Sequence, residues 1–136
     1  VKPESIIEAM EWMDDELVNN LTPKIIGKWP NTYTFTKAIA EYLVYQECKA
    51  NNIQCAIVRP SIICGSWKEP VEGWVDNFNG PTALFPACGA GVLRTMIGHR
   101  SATADLVPVD FPVNLIIATG WHAGSGTAKK LLVYNC

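Results

Sequence analysis

The sequence lacks the features that would place it across a membrane, around a metal ion or on nucleic acid. It has no apolar run of the ~18 residues that a membrane-spanning helix needs. It has no Cys-x-x-Cys pair and no histidine at the spacing of metal ligands, so we expect no metal site. Its 13 acidic and 11 basic side chains leave a net charge of −2, which gives no overall attraction to nucleic acid. We therefore predict no nucleic-acid partner.

The five cysteines are irregularly spaced and odd in number, which predicts reduced thiols in an intracellular protein. A hydrophobic fraction of 49% and a charged fraction of 18% are typical of a folded globular chain. The 136 residues match one ordinary domain. Residue 1 is Val, and residues 131–136 read as a strand that should lead to a further element. We therefore expect a piece of a larger protein.

Hydrophobic periodicity predicts an α/β protein. Helices are predicted at residues 4–18, 32–50 and 110–122, and strands at 53–58, 105–109 and 131–134. Residues 19–31 are predicted as loop with a short turn at 23–26, and residues 64–92 as a long ordered loop with short helical turns. A loop of that length in a compact domain is usually functional. The first strand is apolar and follows a helix, which is typical of a buried parallel strand.

Two further details follow from the pattern. Asp110 precedes a helix with Pro112 in its first turn, so we predict that its side chain caps that helix. The helix at 32–50 is apolar around much of its girth, which predicts burial on two sides. One side would face the sheet, and the other would face a partner subunit in a homodimer.

Tyr33 and Lys37 form the most informative pair in the sequence. They are four residues apart in a predicted helix, so the phenol and the ammonium share one face. A fixed cation beside a phenol stabilises the phenolate, which brings its pKa toward the range useful for acid–base catalysis. The same spacing occurs by chance in many helices, where the Lys is solvated and the Tyr is packed.

The order of elements resembles the second half of an extended short-chain dehydrogenase/reductase. A helix with Tyr-x-x-x-Lys is followed by a buried strand and then by Arg59, Pro60 and Ser61. Several blocks narrow the resemblance to the fatty acyl-CoA reductases, with their male-sterility-type NAD-binding domain. They are residues 29–38 (Trp-Pro-Asn-Thr-Tyr-Thr-Phe-Thr-Lys-Ala), 57–62 (Ile-Val-Arg-Pro-Ser-Ile), 67–70, 73–77, 79–81 and 104–110.

The resemblance implies roles for particular residues. Tyr33 would exchange a proton with the substrate oxygen, and Lys37 would lower the pKa of Tyr33 and hold the nicotinamide ribose. Pro60, Ser61 and Ile62 would contact the nicotinamide. The family uses NADPH to reduce long-chain acyl-CoA to a primary alcohol, with an aldehyde formed between two hydride transfers.

The resemblance also implies parts that this sequence lacks. No Gly-x-x-Gly-x-x-Gly turn follows a strand, and the substrate-binding Ser or Thr that precedes the Tyr helix is absent. Residues 1–136 would therefore be the C-terminal part of a NAD(P)-binding reductase domain, a partial Rossmann-like fold without its nucleotide-binding half and without the family's C-terminal domain. Membrane association would come only from regions absent here. We expect the parent protein at the cytosolic face of the endoplasmic reticulum or the peroxisomal membrane, and this fragment to be inactive alone.

Aromatic and basic residues after the first strand are candidates for substrate binding. A long acyl chain needs apolar walls, and the candidates are Trp67, Trp74, Phe78 and Phe85. The same aromatic rings could instead pack the loop onto the core. Arg94, in a small cluster with His99 and Arg100, could meet the phosphates of coenzyme A or could be plain surface charge.

Two other functions remain open at this point. The chain could belong to another extended reductase or epimerase that acts on a different carbonyl or a nucleotide sugar. It could also be a non-catalytic fragment that keeps only the subunit-pairing helix and acts as an interaction module.

Overall fold

The computed structural model describes residues 2–126 and 131–136. The chain forms two compact units, Val1–Ile53 (unit 1) and Gln54–Cys136 (unit 2). Unit 1 contains α1 (Pro3–Trp12), α2 (Asp15–Ile26) and α3 (Thr32–Ala50). Unit 2 contains β1 (Ala56–Arg59), β2 (Ile62–Cys64), α4 (Pro81–Gly89), β3 (Leu106–Pro108), α5 (Asp110–Gly124) and β4 (Leu132–Asn135).

The first predicted helix is in fact two helices, and the loop predicted at 19–31 is helical as far as Ile26. The short turn predicted at 23–26 is part of that helix, and residues 27–31 lie outside helices as predicted. The backbone of Asp14 is extended, and its carboxylate accepts the N–H of Leu17 at 2.8 Å. This side-chain cap starts α2, which runs through the predicted loop and includes Pro23. A proline inside a helix removes one backbone hydrogen bond, and its ring crowds the carbonyl four residues earlier. The helix ends at Gly27, whose positive φ of 56° suits glycine.

The predicted helix at 32–50 is confirmed, and α3 has the predicted bounds. It begins where the side chain of Asn31 accepts the N–H of Thr34 at 2.9 Å, which satisfies a donor that the helix leaves unpaired. The prediction that this helix is buried on two sides is not matched, because none of its 19 residues is buried. In unit 1, α2 packs against α3.

The predicted parallel strand pairing is confirmed in unit 2. β1 pairs in parallel with β4, with Ala56 opposite Leu132. β2 pairs in parallel with β3, with Ile62 opposite Leu106. Helix α5 packs against β1 and β3. The architecture is therefore α/β, with parallel strands and flanking helices, as in part of a Rossmann-like fold.

Several element boundaries differ from the prediction, and two elements are additional. β1 begins at Ala56 and not at residue 53, because Ile53 donates its N–H to Cys48 O at 2.9 Å and so completes the end of α3. β2 is an additional strand, formed as the chain resumes an extended path after Pro60. The long loop predicted at 64–92 contains the nine-residue helix α4, which starts after Gly80 at φ 53°.

The best-buried residues of unit 2 lie on α5 and just after β2. Pro112, Thr119 and Ala123 are buried on α5, and Ser66 is buried two residues beyond β2. The carboxyl ends of β1 and β2 lead directly into the segments predicted to bind cofactor and substrate. In the described ranges, no helix combines the length and apolar character that crossing a bilayer requires.

Candidate active site

Tyr33 and Lys37 lie on the first two turns of α3. The Lys37 Nζ is 5.7 Å from the centroid of the Tyr33 ring, so the ammonium sits over the phenol ring as the spacing predicts. Tyr33 is 68% exposed and Lys37 is also exposed. The cap at Asn31 fixes the start of this turn, and the pair is therefore presented from a regular helix end.

A second pair with the same geometry lies further along α3. Tyr45 and Lys49 are also four residues apart, and the Lys49 Nζ is 5.9 Å from the centroid of the Tyr45 ring. Sequence reasoning did not single out this pair. Because the two distances are nearly equal, the geometry of the pair does not by itself select the catalytic tyrosine. The surrounding sequence block at 29–38 is what distinguishes Tyr33.

The segment Pro60, Ser61 and Ile62 is fixed between strand ends in unit 2. The Ser61 N–H donates to Cys136 O at 2.8 Å, just beyond β4, and the Ile62 N–H donates to Asp105 O at 3.1 Å, just before β3. Pro60 and Ile62 are exposed, and Ser61 is half-buried. This turn leaves the carboxyl end of a parallel strand, where α/β sheets place their ligands.

The four aromatic candidates for substrate binding are each more than half exposed. Trp67 stacks on Phe111 with ring centroids 5.7 Å apart and planes 9° apart. The indole N–H of Trp74 donates to Asp76 at 2.7 Å. Phe78 lies just before α4, and Phe85 lies on it. The stacking of Trp67 on Phe111 packs the loop against α5, whereas the other three rings make no ring contact of that kind among the described residues.

Basic side chains flank the same region. Lys68 places its Nζ 4.4 Å from the centroid of the Trp67 ring. Arg94 is exposed, and its Nε donates to Gly91 O at 3.2 Å. His99 is joined to the Ser101 hydroxyl at 2.7 Å. Arg94 and His99 therefore bond within their own loop.

Asp110 does not cap its own helix as predicted, because it holds the loop that follows β2. The helix has Val109 as its N-cap, and no side-chain cap bond forms. The Asp110 carboxylate instead accepts three successive backbone N–H groups, those of Trp67 at 2.7 Å, Lys68 at 3.0 Å and Glu69 at 2.9 Å. The bonds from Glu69, Trp67 and Lys68, in that order of effect, lower the pKa of Asp110 to about 2.

Ser66 is a second organising residue that sequence reasoning missed. It is 5% exposed, and its hydroxyl accepts the N–H of Trp74 at 3.0 Å and donates to Val71 O. Its backbone pairs with Trp74 O at 3.0 Å and with the Gly73 N–H at 2.9 Å, which closes the loop on itself. Before it, a Cβ on Gly65 would lie 3.0 Å from the Val75 side chain, so a side chain would crowd this approach.

Each unit contains a concave site. In unit 2, a cavity of about 150 Å³ lies at the Asp110 loop and is lined by Trp67, Lys68, Glu69, Asp110, Phe111 and Asn114. In unit 1, a groove of about 440 Å³ lies between α1 and α3 and is lined by Pro3, Ile6, Ile7, Met10, Glu11, Thr36 and Ile39. Among the described residues, no cluster of three His, Cys, Asp or Glu side chains could hold a metal ion.

Comparison with known protein families identifies the family to which the chain belongs. The model of the Male sterility protein family, an NAD-binding family, matches residues 2–116. The chain belongs to this family. It is 59% identical over its whole length to Fatty acyl-CoA reductase 1 of Xenopus laevis, 55% to that of Homo sapiens and 50% to Fatty acyl-CoA reductase 2 of Bos taurus.

In each of these alignments the 136 residues cover all of this chain and 26% of the relative. The chain therefore spans about a quarter of the length of the curated relatives it matches. No solved structure matches it. Membership of an NAD-binding family indicates a nicotinamide cofactor, and it confirms the resemblance that the sequence blocks carry.

Proposed function

We propose that the protein to which this chain belongs reduces long-chain fatty acyl-CoA to a fatty alcohol with NADPH, through an aldehyde. The supporting observation is the 50–59% identity over the whole chain to proteins named fatty acyl-CoA reductase. The chain would supply the C-terminal part of the nucleotide-binding reductase domain. The partial Rossmann-like architecture of unit 2 supports that division.

Tyr33 is the proposed acid. Reduction of a thioester or aldehyde carbonyl builds negative charge on its oxygen, and a phenol placed beside that oxygen quenches the charge with a proton. Tyr33 is exposed at the start of a capped helix, so its hydroxyl is accessible to a substrate. The Lys37 ammonium lies over the same ring, 5.7 Å from its centroid.

Each unit by itself carries residues that the proposal assigns to a nicotinamide nucleotide. The exposed Lys37 ammonium can donate hydrogen bonds to ribose hydroxyls. In unit 2, the exposed Pro60 and Ile62 offer apolar surface for a planar ring, and the strand-end bonds of Ser61 and Ile62 fix that turn. The bound nucleotide supplies the hydride. We propose NADPH over NADH because the reaction is reductive and biosynthetic.

A homodimer through α3 is part of the proposal. Tyr42, Val44 and Tyr45 are exposed apolar or aromatic side chains on this helix. Exposed apolar surface of this kind favours burial against a second subunit. The oligomeric state of the full-length protein, measured by light scattering, tests this point separately from activity.

The activity is tested with the full-length protein, a sixteen-carbon acyl-CoA and either NADPH or NADH. We expect hexadecanol, with two molecules of NADPH oxidised for each coenzyme A released. Equal rates with NADH would contradict the choice of cofactor. Turnover of a nucleotide sugar but not of acyl-CoA would favour a different extended reductase and refute the proposed substrate.

A further inference from the structure

The groove between α1 and α3 is concave and mainly apolar. Ile6, Ile7 and Met10 from α1 face Ile39 from α3 across it. Its volume of about 440 Å³ lies within the range of small-molecule sites, ~300–1,000 Å³. Ile7 is 53% exposed and Met10 is 40% exposed, so apolar surface is left open for an occupant.

The groove starts beside the proposed acid. Thr36 lines it, follows Tyr33 by three residues and directly precedes Lys37. Residues three apart on a helix are neighbours on its surface. A carbonyl group held at the Tyr33 hydroxyl would therefore have the rest of its molecule within reach of the groove.

The chemistry of the lining selects an alkyl chain over a phosphate. Its polar members are Thr36 and Glu11, and it contains neither Lys nor Arg. Phosphates of coenzyme A need cationic or N–H donors, whereas an alkyl chain needs apolar walls.

The length of the groove also suits an alkyl chain. The lining residues of α1 run from Pro3 to Glu11, an axial distance of about 12 Å. A zigzag chain with ~1.5 Å carbon–carbon bonds covers that distance in roughly nine methylenes.

We infer that this groove binds the alkyl chain of the substrate and sets the chain-length preference, an inference that rests on the proposed reduction of fatty acyl-CoA. Each methylene buried in the groove should raise kcat/KM by about fourfold until the groove is full. The residues predicted to bind substrate in unit 2 are a separate set.

Filling the groove tests the inference in the full-length protein. Ile7→Trp places a large ring in the open groove, so the ratio of kcat/KM for a sixteen-carbon over a four-carbon acyl-CoA should fall at least about tenfold. Met10→Phe fills less space and should lower the ratio in the same direction, which keeps the test usable if Ile7→Trp does not fold. Leu17→Trp, a comparable change at an exposed site on α2 outside the groove, should leave the ratio at the wild-type value.

The outcomes separate this inference from the proposed function. A wild-type protein that reduces no acyl-CoA of any length would refute the proposed function. If the wild-type protein reduces acyl-CoA and Ile7→Trp has the same ratio of kcat/KM for the two chain lengths, only the assignment of the groove is refuted. An equal loss of kcat/KM for both acyl-CoA substrates in Ile7→Trp and Met10→Phe would show that another part of the protein fills the groove. That result would overturn the inference.

Discussion

Unit 1 and unit 2 present their candidate residues in opposite ways. In unit 1, the Tyr33–Lys37 pair and its Asn31 cap lie within one stretch of helix, held by bonds between residues three or four apart. In unit 2, the loop that carries Trp67 is held by Asp110, a residue 43 positions away. The first arrangement depends on local sequence, and the second depends on the fold. Damage to the first should therefore stay local, and damage to the second should spread through the loop.

The largest effect is expected from Tyr33→Phe. It removes the proposed proton donor and keeps the ring under Lys37, so kcat should fall by about 100-fold or more while the protein stays folded. Steady-state kinetics with acyl-CoA measures kcat, and circular dichroism shows whether the variant is folded.

Tyr45→Phe is the matched control for that change. Tyr45 has the same relation to Lys49 on the same helix, at 5.9 Å, and should keep nearly wild-type kcat. If Tyr45→Phe were the damaging change and Tyr33→Phe the silent one, the catalytic assignment on α3 would be wrong.

A smaller loss is expected from Asp110→Ala. Three backbone N–H groups lose their acceptor, so Trp67 and its neighbours should lose their fixed position. Displaced binding groups lower catalytic efficiency, and we expect about a tenfold fall in kcat/KM, mainly through KM.

Hydrogen exchange should show faster exchange at residues 67–69 in the same variant. Asp105→Ala is its control, because Asp105 contributes its backbone carbonyl, and not its side chain, to the bond with Ile62. Unchanged exchange at 67–69 in Asp110→Ala would show that the loop is held by other contacts.

The charge of Asp110 predicts a dependence of stability on pH. Its pKa is lowered to about 2, so the folded state favours the carboxylate and the unfolded state binds the proton more readily. The contribution should be fully present above about pH 4 and should be lost as the pH falls toward 2. Unfolding midpoints of wild type and Asp110→Asn should therefore differ by a constant amount above pH 4 and converge below it. A difference that grew on acidification would contradict the assignment.

The smallest effect is expected from Asn31→Ala. Loss of the cap at the start of α3 should cost about 1 kcal/mol of stability and increase exchange at the Thr34 amide. Asp14→Ala removes the equivalent cap from α2 and should have a similar effect on stability at Leu17 without changing turnover. If Asn31→Ala also leaves turnover unchanged, the presentation of Tyr33 does not depend on its cap.

The contrast between local and distant contacts also explains which features could be predicted from the sequence. The bounds of α3 follow from a local cap and from Asn51 and Asn52, and they match the prediction. The parallel strands are also predicted, from an apolar run that follows a helix, although β1 is half-buried and not buried as expected. By contrast, the break between α1 and α2 depends on whether Asp14 or Asp15 caps the second helix. Hydrophobic periodicity does not distinguish the two residues.

The residues of the candidate site also differ in whether their partners are near or distant in sequence. Tyr33 and Lys37 could be predicted because their relation is one helical turn. The role of Asp110 could not be predicted, since its partners are backbone N–H groups more than 40 residues away. Every residue except proline has such a group, so no residue type marks these partners in the sequence. The role of Ser66 was missed because it depends on a burial created only when the loop closes. The α1–α3 groove likewise requires two helices to be placed side by side.

The pairing of β1 with β4 has a consequence for biosynthesis. Ala56 and Leu132 are partners although 76 positions separate them. A ribosome adding ~5–20 residues per second needs roughly 4–15 s to make the second strand after the first. During that interval the apolar Ile57 and Val58 lack their β4 neighbours, and such unpaired edges are prone to aggregate. We expect nascent chains halted between these strands to engage chaperones, and chains extended past β4 to be released.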